Sequence, residues 1–190
     1  MFINDWKKDV FTIPNMLSFL RLLLIPVYIV IYLNATEQRG YYISGSILAV
    51  SCLTDMIDGQ IARKFNMIST FGKILDPLAD KLTQLALIVC LSIKYPILRF
   101  VLALFLIKES FQCIAGFVSL RRGKMLAGAL PAGKICTVVL FLSLILLVLI
   151  PNMNTVLVRV IGITDIFFLF CSFLSYILAY LGKHAQIQDL

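Results

Sequence analysis

At 190 residues, 61% of them hydrophobic and 14% charged, with a mean hydropathy of +0.97, the chain is too apolar for a water-soluble domain, whose apolar share is nearer half. It reads as one integral membrane domain over 1–190, all-α, with six transmembrane helices behind a short N-terminal interfacial helix. The net charge of +7 then points to anionic lipid or cytoplasmic loops rather than to nucleic acid.

Residues 1–11 set Phe2, Trp6 and Phe11 beside Lys7 and Lys8, a mixture suited to a helix lying on a membrane surface or else to a frayed terminus. The charged start MFINDWKKDVF lacks a small-residue cleavage pattern, so no cleavable signal peptide is expected. Apolar runs of about the length a bilayer requires follow at about 15–33, 42–65, 70–93, 97–120, 134–150 and 156–181. Arg21 is the one charge in the first, placed either to snorkel to lipid phosphates or to touch a substrate. Pro77 in the third predicts a kink or a freed carbonyl beside Asp76. Cys52, Cys90, Cys113, Cys136 and Cys171 lie in apolar runs without the close spacing of a zinc or redox motif, and read as small hydrophobes.

Lys7, Lys8, Arg63, Lys64, Lys73, Arg121, Arg122, Lys124, Lys134 and Lys183 fall at one set of span ends; Arg39, Lys94, Arg99 and Arg159 fall at the other. Positive charge gathers on the cytoplasmic side. Both termini are therefore expected in the cytoplasm, in the cell membrane of the organism. On that frame Asp55, Asp58, Asp76 and Asp80 lie in the inner half of the bilayer, open to the cytoplasm for a soluble substrate and to the side for a lipid.

These four acids stand in the stretch 55–80, inside segments otherwise apolar enough for lipid, where an ionisable group marks function by default. In helices, Asp55 and Asp58 share one face, and Gly72, Asp76 and Asp80 follow at four-residue steps along one stripe. Facing carboxylates in low dielectric repel and take up protons unless cations hold them ionised. Their oxygens, with no His or Cys nearby, suit Mg²⁺ or Mn²⁺, two ions being able to clamp a diphosphate. A structural ion network, with Arg63, Lys73 or Lys81 as partners, is the plainer alternative.

The spacing Asp55-x2-Asp58-Gly59-x2-Ala62-Arg63-x8-Gly72-x3-Asp76-x3-Asp80 resembles the signature of the CDP-alcohol phosphatidyltransferases at all of its fixed positions. Gly72 to Leu82 (GKILDPLADKL), and Ile13 to Arg21 followed by Pro26, are similar to the branch of phosphatidylglycerophosphate and cardiolipin synthases. The resemblance implies that Asp55, Asp58, Asp76 and Asp80 bind two metal ions, with Asp80 also the general base. It places Gly59, Ala62, Arg63 and Gly72 at the cytidine-linked donor, CDP-diacylglycerol, and implies a homodimer. Glycines there allow close backbone approach, Ala62 keeps the face low, and Arg63 offers a fixed fork to phosphate oxygens.

An acceptor such as sn-glycerol 3-phosphate needs basic partners, for which Arg121, Lys134, Arg122 and Lys108 are candidates. Lys108 stands where the branch more often has Arg, and with Glu109 it also reads as an internal ion pair or a tie between helices. Asp165 is expected to pair with a base or to hydrogen-bond across helices, and His184 to sample the membrane surface. Phosphatidylglycerol is the rival acceptor, which would make the protein a cardiolipin synthase. A small cation transporter is the reading from another class.

Overall fold

The computed structural model describes residues 12–64, 72–121, 124–126, 130–181 and 187–189, without the side chains of 13, 14, 52, 53, 55–64, 73, 74, 120, 124–126, 181 and 187–189. The expected interfacial segment 1–11 and His184 lie outside the described residues. In chain order come α1 (Ile13–Leu33), α2 (Gln38–Lys64), α3 (Gly72–Lys94), α4 (Leu98–Arg121), α5 (Pro131–Leu149) and α6 (Thr155–Leu181). Outside the helices, β1 (Lys124–Leu126) and β2 (Ile187–Asp189) pair antiparallel, with Lys124 opposite Asp189. Strands of three residues offer too little alternation to be read from sequence.

Local chemistry sets the helix starts. Thr12 is extended (φ −88°, ψ 153°), its hydroxyl accepts the Asn15 N–H at 3.5 Å, and a proline follows in the first turn. The fifth helix begins at Pro131, three residues before the expected 134, because a proline at the first helical position has no N–H to leave unpaired. Neither Pro26 in α1 nor Pro77 in α3 interrupts its helix. Pro77 withholds one donor, so the carbonyl four residues earlier lacks its usual helical partner beside the acidic stretch.

Among the described residues four helices are long and apolar enough to cross a membrane, over Asn15–Leu33, Leu98–Ser119, Pro131–Leu149 and Thr155–Tyr180. The remaining two, α2 and α3, carry the acidic stretch. The spans turn large apolar side chains outward, Leu23, Val30, Phe100, Ile114, Leu142 and Phe167 each being more than half exposed. Water would penalise such a surface, whereas lipid tails are as apolar as the side chains they meet.

The chain divides into two compact units, Met1–Cys90 and Leu91–Leu190. In the first, α1 lies against α2, Tyr32 meets Tyr41 edge-on at 5.4 Å, and Tyr28, Leu48, Ala79 and Leu87 are buried. In the second, α6 packs on α4 and on α5, with Phe111 edge-on to Phe173 at 5.4 Å. Tyr95 Oη donates to the Pro151 carbonyl at 2.8 Å, tying the α3–α4 turn to the α5–α6 turn. Asp165, buried in α6, accepts the hydroxyl of Ser143 on α5, whose Oγ lies 2.8 and 2.7 Å from its two oxygens. It therefore hydrogen-bonds across helices, where a lone buried carboxylate would be costly.

At Gly133, α5 lies close against Tyr176 of α6. A Cβ there would lie 2.6 Å from Tyr176 Oη and 2.9 Å from its Cε2, inside contact distance of a ring that is itself buried. Gly133→Ala must displace that ring, and overpacking of this kind costs about 1–3 kcal/mol. Thermal unfolding in detergent is expected to show a lower midpoint; an unchanged midpoint would mean that the ring moves aside without strain.

Candidate active site

Among the described residues two polar side chains of α1 reach across to α3. Asn15, Ser18 and Arg21 are 1%, 0% and 2% exposed. Three-residue steps place them along one face of α1, an inward polar stripe on an otherwise apolar span. Opposite that stripe stand Asp76 and Asp80, one helical turn apart on α3. Ser18 Oγ donates to Asp76 Oδ1 at 2.5 Å, and Arg21 Nη1 donates to Asp80 Oδ1 at 2.6 Å. A rise of about 1.5 Å per residue separates the α1 donors by ~4.5 Å and the α3 acceptors by ~6 Å, so the two bonds form neighbouring rungs.

The rungs ascend in the same sense along both helices, which requires α1 and α3 to run parallel. Two helices joined through one intervening helix are parallel when that helix runs back between them, and α2 follows α1 after a short turn. At 27 and 23 residues, α2 and α3 are ~40 and ~35 Å long, each longer than the ~30 Å apolar core of a bilayer.

Arg21 is the residue whose role the structure changes most. A snorkelling arginine sends its head to the water, but this side chain is 2% exposed while that of Asp80 is 48% exposed. The guanidinium is therefore on the protein side of the ion pair and the carboxylate on the open side. Burial also separates Arg21 from any substrate arriving at Asp80. Its guanidinium offers five fixed donors, so binding one oxygen restrains the carboxylate's orientation. Ser18 has the same relation to Asp76. Sequence reasoning missed Ser18 and Asn15; the recurrence of polar residues at 15, 18 and 21 within a lipid-length apolar run was the available signal.

The other motif residues divide by position. Asp55, Asp58, Gly59, Ala62 and Arg63 lie within α2, with their side chains outside the described residues. Gly72 is the first residue of α3 and is buried. Among the described residues no three of His, Cys, Asp and Glu are grouped closely enough to hold a metal ion. The two described carboxylates nevertheless suit a hard divalent cation: they supply oxygen only, share one face, and Asp80 keeps nearly half of its side-chain surface open.

In the second unit Lys108 is 2% exposed, and its ammonium donates to Glu109 Oε1 and Gln112 Oε1, both at 2.7 Å. The same Nζ lies 5.8 Å from the centre of the Tyr176 ring on α6, so the group ties α4 to α6. Arg121 and Lys134 are exposed, and the Arg121 guanidinium stacks 4.4 Å from the Phe117 ring centre. Arg122 lies outside the described residues.

The model of the CDP-alcohol phosphatidyltransferase family matches residues 11–180. Individual relatives match over shorter stretches. A probable cardiolipin synthase (CMP-forming) of Drosophila melanogaster is 35% identical over 118 residues, 61% of this chain and 35% of that protein. CDP-diacylglycerol--glycerol-3-phosphate 3-phosphatidyltransferases of Rickettsia typhi and Bacillus subtilis are 41% identical over 71 residues and 36% over 92. These cover 37% and 43% of this chain, and 39% and 48% of theirs. The chain thus spans less than half the length of the curated relatives it matches.

Proposed function

The chain belongs to the CDP-alcohol phosphatidyltransferase family, and from that premise we propose that it transfers the phosphatidyl group of CDP-diacylglycerol to sn-glycerol 3-phosphate, giving phosphatidylglycerophosphate and CMP. One observation carries this reading beyond the family match: the last two acids of the motif stand on one face of α3, each fixed by a partner from α1.

In this reading Asp55, Asp58, Asp76 and Asp80 would hold two Mg²⁺ or Mn²⁺ ions, which would supply charge neutralisation at the diphosphate. Asp80, its side chain 48% exposed, takes the proton of the acceptor hydroxyl. The hydroxyl oxygen forms a bond to the diacylglycerol-bearing phosphorus as the bond from that phosphorus to CMP breaks. Gly59, Ala62, Arg63 and Gly72 receive the cytidine-linked donor. For the acceptor phosphate we propose Arg121 and Lys134, which are exposed, with Arg122 next to Arg121 in sequence. Lys108 acts structurally, since its ammonium is buried against Glu109 and Gln112.

The parallel run of α1 and α3 supports a topology in which α2 crosses back between them. Six spans, both termini and the active site on the cytoplasmic side of the cell membrane, agree with the distribution of Lys and Arg; we propose a homodimer as the assembly. The longest of the alignments given above, to a cardiolipin synthase, favours phosphatidylglycerol as the second reading of the acceptor. Purified protein given CDP-diacylglycerol, Mg²⁺ and each acceptor separately decides. CMP release dependent on glycerol 3-phosphate is expected, and release only with phosphatidylglycerol would replace this reading by the second. Cation flux through reconstituted vesicles without CMP release from either mixture would favour transport.

A further inference from the structure

We infer that α1 supplies two positioning residues to the reaction, Ser18 for Asp76 and Arg21 for Asp80, which act through the carboxylates and do not touch substrate. The inference rests on the proposed transferase reading and adds a third helix to a site that the motif places on α2 and α3.

Three observations carry it. Burial is one-sided: Arg21 is 2% exposed and Asp80 48%, and Ser18 is fully buried, so a ligand meets the acids first and finds the α1 groups behind them. Each donor takes Oδ1 of its acid, Ser18 at 2.5 Å and Arg21 at 2.6 Å, so rotation of both carboxyl groups is restrained from the same side. The two donors follow in the same order on α1 as their acceptors on α3, and both described acids of the motif are engaged. A carboxylate that serves as ligand or base is useful only within a narrow range of orientations, and such ranges are set by the groups behind it.

Composition argues the same way. A guanidinium buried in an apolar span is expensive unless a counter-charge accompanies it, and an apolar residue of similar volume would pack there at less cost. A group retained only for stability would be free to pair anywhere along the helix. This one pairs with the acid that the proposed chemistry assigns as base.

The test uses the full chain in nanodiscs, comparing wild type with Arg21→Gln, Arg21→Lys and Ser18→Ala. Mn²⁺ affinity is read by electron paramagnetic resonance without substrate, kcat and KM by CMP release, and folding by thermal unfolding. Loss of an outer-shell partner lowers metal affinity or activity about 10- to 100-fold. Arg21→Gln is therefore expected to lower kcat and Mn²⁺ affinity by about tenfold or more, with KM for donor and acceptor within about threefold of wild type. Ser18→Ala should do the same more weakly, and Arg21→Lys should recover part of the loss because the charge remains while the rigid fork does not.

Wild-type kcat and Mn²⁺ affinity in Arg21→Gln would overturn the inference whatever its thermal midpoint, and a raised KM at constant kcat would overturn it in favour of direct substrate contact. Should Arg21→Gln fail to fold, Arg21→Lys decides on the same two measurements. If wild-type protein releases no CMP with either acceptor, the transferase reading fails, while the Mn²⁺ titration still judges the α1 residues.

Discussion

Asp80→Asn is expected to lower turnover by about 10³-fold or more and to destabilise the protein, and adding Arg21→Gln is expected to restore the stability without the turnover. A positioned general base contributes about 10²- to 10⁴-fold, and in the proposed mechanism this residue is also a metal ligand, so the loss falls at the upper end of that range. The stability effect has a separate origin. An amide at 80 withdraws the counter-charge from a guanidinium that is 2% exposed, and breaking a buried pair from one side costs about 3–5 kcal/mol. Since the Asp80 side chain is 48% exposed, about 2–3 kcal/mol is the fitting share of that figure. In the double variant two amides face each other and no buried charge lacks its partner. Thermal unfolding and CMP release from the two single variants and the double close the cycle. A double variant as unstable as Asp80→Asn would show that the pair does not carry the stability, and near-normal turnover in either variant with Asn at 80 would remove that residue as the base.

That cycle turns on a contact across 59 positions of chain, and the part of the site that sequence could reveal stops short of it. Spacing within one helix is periodic, so the faces shared by Asp55 with Asp58 and by Asp76 with Asp80 follow from residue numbers alone. Which face of another helix lies opposite depends on how the helices rotate as they pack, and residue numbers do not record that. Arg21 illustrates the difference: read along α1 it had two destinations, lipid phosphate or substrate, and the structure gives it a third in Asp80. Ser18 was passed over because a serine inside a helix ordinarily bonds to its own backbone one turn back, as Ser46 does to the Tyr42 carbonyl. Helix ends were legible to within a few residues wherever charge or proline marks them; the fifth helix was expected from about 134, and it opens three residues earlier at Pro131. For Asp165 the sequence left open a basic partner or a bond across helices, and the structure gives the second, with Ser143, one of several hydroxyls on the apolar spans.

Removal of divalent cations is expected to have the largest effect of all, abolishing CMP release until Mg²⁺ or Mn²⁺ is returned. In the proposed reaction the donor would bring a diphosphate to a motif of four carboxylates, and like charges gathered at low dielectric repel. Arg21 offsets one of the four and Arg63 offers one more cation, so these charges alone leave a net negative centre for an anionic substrate. Two divalent ions, as proposed, would reverse that balance, so chelation should weaken donor binding and turnover together. A saturating ion also stabilises the fold it binds, by about 2.7 kcal/mol at a hundred times its dissociation constant. Mg²⁺ should therefore raise the thermal midpoint of wild-type protein, and raise that of Asp76→Asn much less. CMP release measured against free Mg²⁺ after chelation, with thermal unfolding on the same samples, tests both effects. Full turnover in chelator would exclude the ionic centre. Equal midpoint shifts in wild type and Asp76→Asn would place the ions elsewhere, because Asp76 is one of the two carboxylates that the motif offers on the α3 side.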